Sequence, residues 1–131
     1  MRGGTIVTVK KELEQAGIRA NLSLGLDAAH DISSGDPERV RAGEQRLGEI
    51  IAAAGELGAS HVCGILYSAF QKYNEPPTAA GIDGAAAVLS RVAEKARAAG
   101  ITLGLEVVNR YESNVLNTAS QAVELCRRVN A

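Results

Sequence analysis

The chain has 131 residues and a mass of 13.6 kDa, enough for one domain and too little for two. Hydrophobic residues make up 46% and charged residues 22%, and the net charge is −1, so no basic stripe exists for phosphate contacts and a nucleic-acid partner is disfavoured. No apolar run reaches the roughly 20 residues of a membrane helix, the first five residues lack signal-peptide features, and two cysteines are too few for a disulfide scaffold, which together point to the cytoplasm.

A first helix is expected over Thr5 to Ala16, with Ile6, Val9, Leu13 and Ala16 on one stripe. Gly17 follows it, and Asn21 to Leu26 reads as a strand. Asp36-Pro37 then opens a second helix, as an N-cap followed by proline in the first turn. Its stripe is Val40, Leu47, Ile50, Ile51, Ala54 and Leu57. After Gly58 comes an apolar strand, His61 to Tyr67. A third helix carries Val88, Leu89, Val92, Ala93 and Ala96, and after Gly100 the strand Thr102 to Val108 follows. A last helix presents Ala119, Ala122, Val123, Cys126 and Val129.

The three helix-ending glycines lie 41 and 42 residues apart, and each feeds a strand. That interval marks a repeated α/β unit. Strands separated by helical crossovers pair in parallel with right-handed connections. The order fits a small doubly wound sheet or part of a (β/α)8 barrel. Three strands are few for the former, whose edges would both be open.

In either architecture function gathers where strands end. Those ends lead into Asp27–Asp31, Ser68–Asn74 and Asn109–Asn114, all polar. Glu106 interrupts the apolar run of the third strand. Alternation puts it on one face with Gly104 and Val108, and puts Leu103, Leu105 and Val107 on the helix side. A carboxylate there needs a partner such as Arg110, a proton or a metal ion. By itself Glu112 reads as a loop carboxylate, His61 as structural and Cys63 and Cys126 as apolar packing residues. His30 has no second ligand at metal spacing, and no Walker-type phosphate loop occurs.

The run Leu105-Glu106-Val107-Val108-Asn109-Arg110-Tyr111-Glu112, with Asn117-Thr118-Ala119 downstream, resembles the ketose 3-epimerases. This is the D-tagatose and D-psicose (D-allulose) 3-epimerase family, within the xylose-isomerase-like barrels. Asp31-Ile32-Ser33-Ser34 and Gly64-Ile65-Leu66-Tyr67-Ser68-Ala69-Phe70 resemble two further family segments, with Phe70 where tryptophan is usual. The resemblance implies a (β/α)8 fold and a divalent ion, manganese, cobalt or magnesium. It implies Glu106 as metal ligand and acid/base group, Glu112 as a substrate-binding carboxylate, and Gly25, Ile65 and Phe70 as pocket lining. A metal-stabilised enediolate would let two carboxylates exchange the proton at C3 of a ketohexose from opposite faces.

A barrel of this kind needs about 250 residues. Residues 1–131 are therefore expected to form one incomplete barrel domain, holding the second to fourth strands. The other three ligands of the family (an aspartate, a histidine and a second glutamate) fall in the absent part. The isolated chain is expected to be inactive. Two alternatives are another barrel enzyme, such as a sugar-phosphate isomerase or inosose dehydratase, and a non-catalytic module that self-associates through open edges. A homo-oligomer is expected in either case.

Overall fold

The computed structural model describes residues 3–130. Four helices and three strands alternate along the chain: α1 (Gly3–Ala16), β1 (Leu22–Leu26), α2 (Pro37–Leu57), β2 (His61–Ala69), α3 (Ala79–Ala98), β3 (Thr102–Leu105) and α4 (Ala119–Val129). A short 3₁₀ turn, Ala28–His30, follows β1. The strands form one parallel sheet in the order β1-β2-β3, as the glycine interval predicts. Gly17, Gly58 and Gly100 have φ of 67°, 80° and 72°, the left-handed helix ends that the sequence marks.

The helices start where polar side chains satisfy free amides. Asp36 accepts from the Glu38 N–H and Thr78 from the Gly81 N–H. Thr118 and Gln121 form a reciprocal capping box at α4. One face of the sheet is covered by α2 and α3. Leu47, Ile51 and Ala54 from α2 and Val88, Leu89, Val92 and Ala96 from α3 share a cluster with Leu26, Val62 and Leu66. Each such leucine, isoleucine or valine contributes about 1.5–3 kcal/mol by leaving water.

Three details differ from the pattern. The β3 strand stops at Leu105, although the apolar run continues to Val108. The Glu106 N–H still donates to the Gly64 carbonyl (3.0 Å), but the Val108 N–H turns to the Leu116 carbonyl (3.0 Å). The turn buries Val108 and leaves Val107 exposed, so alternation fails after Glu106. Leu103 and Leu105 do face the helices, lining a groove with Leu89, Ala96, Cys126 and Val129. On α4 the buried anchor is Leu125, with Ala122 and Val129 packed beside it; Val123 and Cys126 are exposed. Leucine offers the larger apolar area, and packing against the core decides which face of the helix is buried. The β1–β2 register shifts between Gly25 and Leu26, so that Leu26 pairs with Ala69. This bulge lies at the strand ends where the candidate residues gather.

Candidate functional site

The sheet face opposite the helices carries small residues. Cys63 pairs with Ser23 on one side and Gly104 on the other. A Cβ on Gly104 would meet the Cys63 Sγ at 2.8 Å, so the thiol occupies that space. One step along, Gly25 pairs with Ile65. A Cβ on Gly25 would lie 2.9 Å from the Phe70 Cβ and 4.0 Å from that of Ile65. Gly25 thus forms one patch with Ile65 and Phe70, 40 and 45 positions away, and a glycine is needed for the aromatic side chain to sit so close. Phe70 is 55% exposed, whereas Ile65 is 4% exposed and backs the patch without offering surface.

Glu106 stands at the end of β3, in phase with Gly104, and is exposed. Among the described residues no ion pair joins it to Arg110. Its main chain is held from two sides. The amide donates to Gly64, and the carbonyl accepts from the Tyr67 O–H at 2.6 Å. Tyr67 is fully buried, and burial, reinforced by the negative charge of Glu106, pushes its phenol up to about 12. The negative charge of Glu112 adds to the same upward push. The Glu112 Oε2 accepts from the Asn109 Nδ2 (3.0 Å) and its carbonyl accepts from the Gln71 N–H (2.9 Å). These bonds tie the loop after β3 to the loop after β2.

Among the described residues, the three buried polar ones, Asp31, Ser68 and Ser113, stand at this end of the sheet. The Ser68 and Ser113 hydroxyls are 2.6 Å apart. The Asn117 Nδ2 donates to the carbonyls of Val108 and Ser113, both at 2.9 Å. The Asp31 Oδ1 accepts from the Ser33 N–H (2.9 Å) and O–H (2.7 Å), and its Oδ2 accepts from the Tyr73 O–H (2.5 Å). Burial, reinforced by the Asp31 hydrogen bond, pushes the Tyr73 phenol up to about 12. The sequence signals Tyr73 only as a polar loop position, and Asp31 and Tyr67 only as members of two segments that resemble the family, with no role assigned to either.

The histidines are occupied elsewhere. The His30 Nδ1 lies 2.5 Å from the Asp27 Oδ1, and its Nε2 lies 3.3 Å from the Arg46 guanidinium. The hydrogen bond from His30 lowers the Asp27 carboxyl. His61 is exposed at the opposite sheet end, beside the Ser60 hydroxyl. Among the described residues no three His, Cys, Asp or Glu side chains cluster as a metal ion requires. Glu106 offers one carboxylate, so the described residues do not make up the ion site that the resemblance implies.

The parallel sheet, its covering helices and a carboxylate at a strand end define a class. The chain belongs to the xylose isomerase-like TIM barrel family, whose pattern matches residues 1–131. Its three strands and four helices are part of such a barrel. It is 48% identical over 125 residues to a ketose 3-epimerase of Arthrobacter globiformis, covering 95% of this chain and 43% of that protein. It is 37% identical to an L-ribulose 3-epimerase of Methylomonas sp. (strain DH-1), covering 95% of this chain and 44% of that protein. Among solved structures, an L-ribulose 3-epimerase superposes with a TM-score of 0.94 at 40% identity, over 96% of this chain and 42% of that one. A D-allulose 3-epimerase from Methylomonas sp., in complex with D-allulose, gives 0.93 at 37% identity, over 95% and 43%. The chain thus spans less than half the length of these relatives. Among the described residues, no helix is long and apolar enough to cross a membrane.

Proposed function

We propose that this chain supplies the ketose-binding wall and one acid/base carboxylate of a cytoplasmic ketose 3-epimerase. Residues 1–131 act as one incomplete barrel domain. The observation that carries this reading is the convergence of Gly25, Ile65 and Phe70 into one patch at the strand ends that also present Glu106. Gly25 leaves room for the Phe70 side chain against the sheet, and the exposed Phe70 ring offers an apolar face to the C–H groups of a sugar. Glu112, fixed by Asn109, supplies a carboxylate for hydroxyls near the first sugar carbons. An exposed Glu106 held at its own main chain can take the C3 proton on one face of a ketohexose. A second carboxylate, not among the described residues, then serves the other face. The divalent ion, manganese, cobalt or magnesium, requires ligands beyond Glu106, so no step here is assigned to it. The outer edges of β1 and β3 have no strand partner among the described residues and favour a homo-oligomer, which sedimentation measures.

The test is a chimera in which this chain replaces the matching segment of the Arthrobacter globiformis ketose 3-epimerase. It is expected to interconvert D-fructose and D-psicose with manganese present, and Glu106→Gln is expected to abolish turnover while the circular dichroism spectrum is kept. A folded chimera whose Glu106→Gln form keeps its rate would overturn the assignment. The isolated chain is expected to give no turnover, and manganese-dependent epimerisation by it would overturn that part.

A further inference from the structure

The loop after β1 is held against the backbones of two helices. A Cβ on Gly43 of α2 would lie 2.3 Å from the His30 carbonyl oxygen and 2.5 Å from the Ile32 Cγ2. A Cβ on Gly81 of α3 would lie 2.4 Å from the Ser33 carbonyl oxygen. Between these two contacts stands Asp31, 4% exposed, with Oδ1 filled by Ser33. Its remaining oxygen reaches out of the loop to the Tyr73 phenol. The same phenol oxygen accepts the Ala69 N–H at 3.0 Å. The next amide, that of Phe70, donates to the Leu26 carbonyl at 2.6 Å. Phe70 is thus fixed at its own amide and at the one before it, while its ring stays exposed.

We infer that Asp31 and Tyr73 are positioning residues that set the Phe70 ring over Gly25, and so control how the ketose seats on that wall. The inference rests on the reading of Phe70 as pocket lining. The physical case is one of satisfaction. A buried carboxylate with one oxygen unfilled is costly, so the Tyr73 bond is strongly favoured. A phenol that stays protonated through the neutral range remains a donor to Asp31 and an acceptor for Ala69 at once. The stretch from Ala69 to Tyr73 closes on itself through that acceptor. The loop therefore cannot carry Phe70 away from Gly25 without releasing Asp31.

The chain contains no tryptophan, so Phe70→Trp creates a sole indole reporter at the wall. In the Phe70→Trp background, Tyr73→Phe or Asp31→Ala is expected to lower the anisotropy of that indole and raise its quenching by acrylamide. A control reporter, Val123→Trp on the exposed face of α4, is expected to stay unchanged under the same two substitutions. The Ala69 amide is expected to exchange about fivefold faster in Tyr73→Phe, the loss of one net hydrogen bond. An unmoved wall reporter, or both reporters loosening together, would overturn the inference. Should neither variant fold, exchange in the unmodified chain decides: an Ala69 amide as fast as open loop amides overturns the clamp, and a protected one supports it. The pocket reading fails separately. A chimera carrying Phe70→Ala that epimerises with unchanged KM would remove the sugar wall and leave the reporter results standing.

Discussion

The two ends of the sheet are built on different principles. Where strands begin, the turns are glycine caps with open space around them. Gly17 and Gly100 have nothing within 4 Å of a would-be Cβ. The polar contacts there, such as Asn21 with Ser60 and His61, are exposed. Where strands end, the buried polar residues Asp31, Ser68 and Ser113 gather, and helical backbone presses on loop backbone. The first end needs only a backbone conformation, which many sequences supply. The second needs particular side chains to satisfy one another, because an unpaired polar group there has no water to fall back on. Buried networks of that kind hold loops still, and a still loop is what a binding surface needs.

The sharpest test of this contrast compares two glycine-to-alanine changes. Gly43→Ala forces a methyl into the His30 carbonyl and Ile32, and is expected to cost about 3 kcal/mol. Gly17→Ala meets no atom and carries only the left-handed backbone penalty, about 1 kcal/mol. Urea denaturation of both variants measures the difference. Equal losses would show that the two ends are alike in packing.

High pH attacks one end selectively. Tyr67 and Tyr73 both lie where strands end, and both phenols are pushed up to about 12 from an ordinary 10.0. A phenol with a raised value binds its proton more tightly in the folded chain. Its contribution is full below pH 10 and is lost as the pH rises toward 12, at most about 3 kcal/mol for each. Absorbance of tyrosinate is expected to show Tyr67 and Tyr73 ionising together with loss of the circular dichroism signal. Ionisation of these two phenols with the spectrum unchanged would break the contrast.

A smaller effect is expected for Tyr67→Phe. It keeps the ring and removes the donor to the Glu106 carbonyl, at a cost of about 1–2 kcal/mol. In the chimera it should also lower turnover, because the main chain under Glu106 loses one of its two supports. Unchanged turnover at reduced stability would make Tyr67 purely structural.

The helices and the parallel pairing of the strands were legible in the chain, because each rests on local pattern; Gly25, Ile65 and Phe70 stood out only through the family resemblance. Periodicity shows which face is apolar, and glycine spacing shows where helices stop. The end of β3 was not legible. Val107 and Val108 are both strand formers, and only the Leu116 carbonyl, eight residues beyond Val108, draws the backbone out of the sheet. The clamp was equally hidden. Asp31 and Tyr73 lie 42 positions apart, each in a stretch that reads as solvated loop, and no local signal says that one oxygen will be buried against the other. The phase of α4 failed for a related reason: Leu125 and the stripe through Val123 and Cys126 compete, and tertiary packing decides.

The helix layer away from both ends gives the smallest effect. Glu44 on α2 receives the Arg91 guanidinium of α3 through two bonds, at 2.7 and 2.9 Å. That hydrogen bonding holds the Glu44 carboxyl below its usual value of 4.5. A depressed carboxyl stabilises above its unfolded value and loses that support as pH falls through the folded one, so the pair is fully present at neutral pH and gone in acid. Arg91 is 55% exposed, and solvent screening limits the pair to under about 1 kcal/mol. Glu44→Gln is therefore expected to lower the urea midpoint slightly at pH 7 and not at all in acid, with 1 M salt shrinking the difference. A loss at pH 7 as large as that of Gly43→Ala would mean that the α2–α3 contact, and not the buried network at the strand ends, holds the loop after β1 in place.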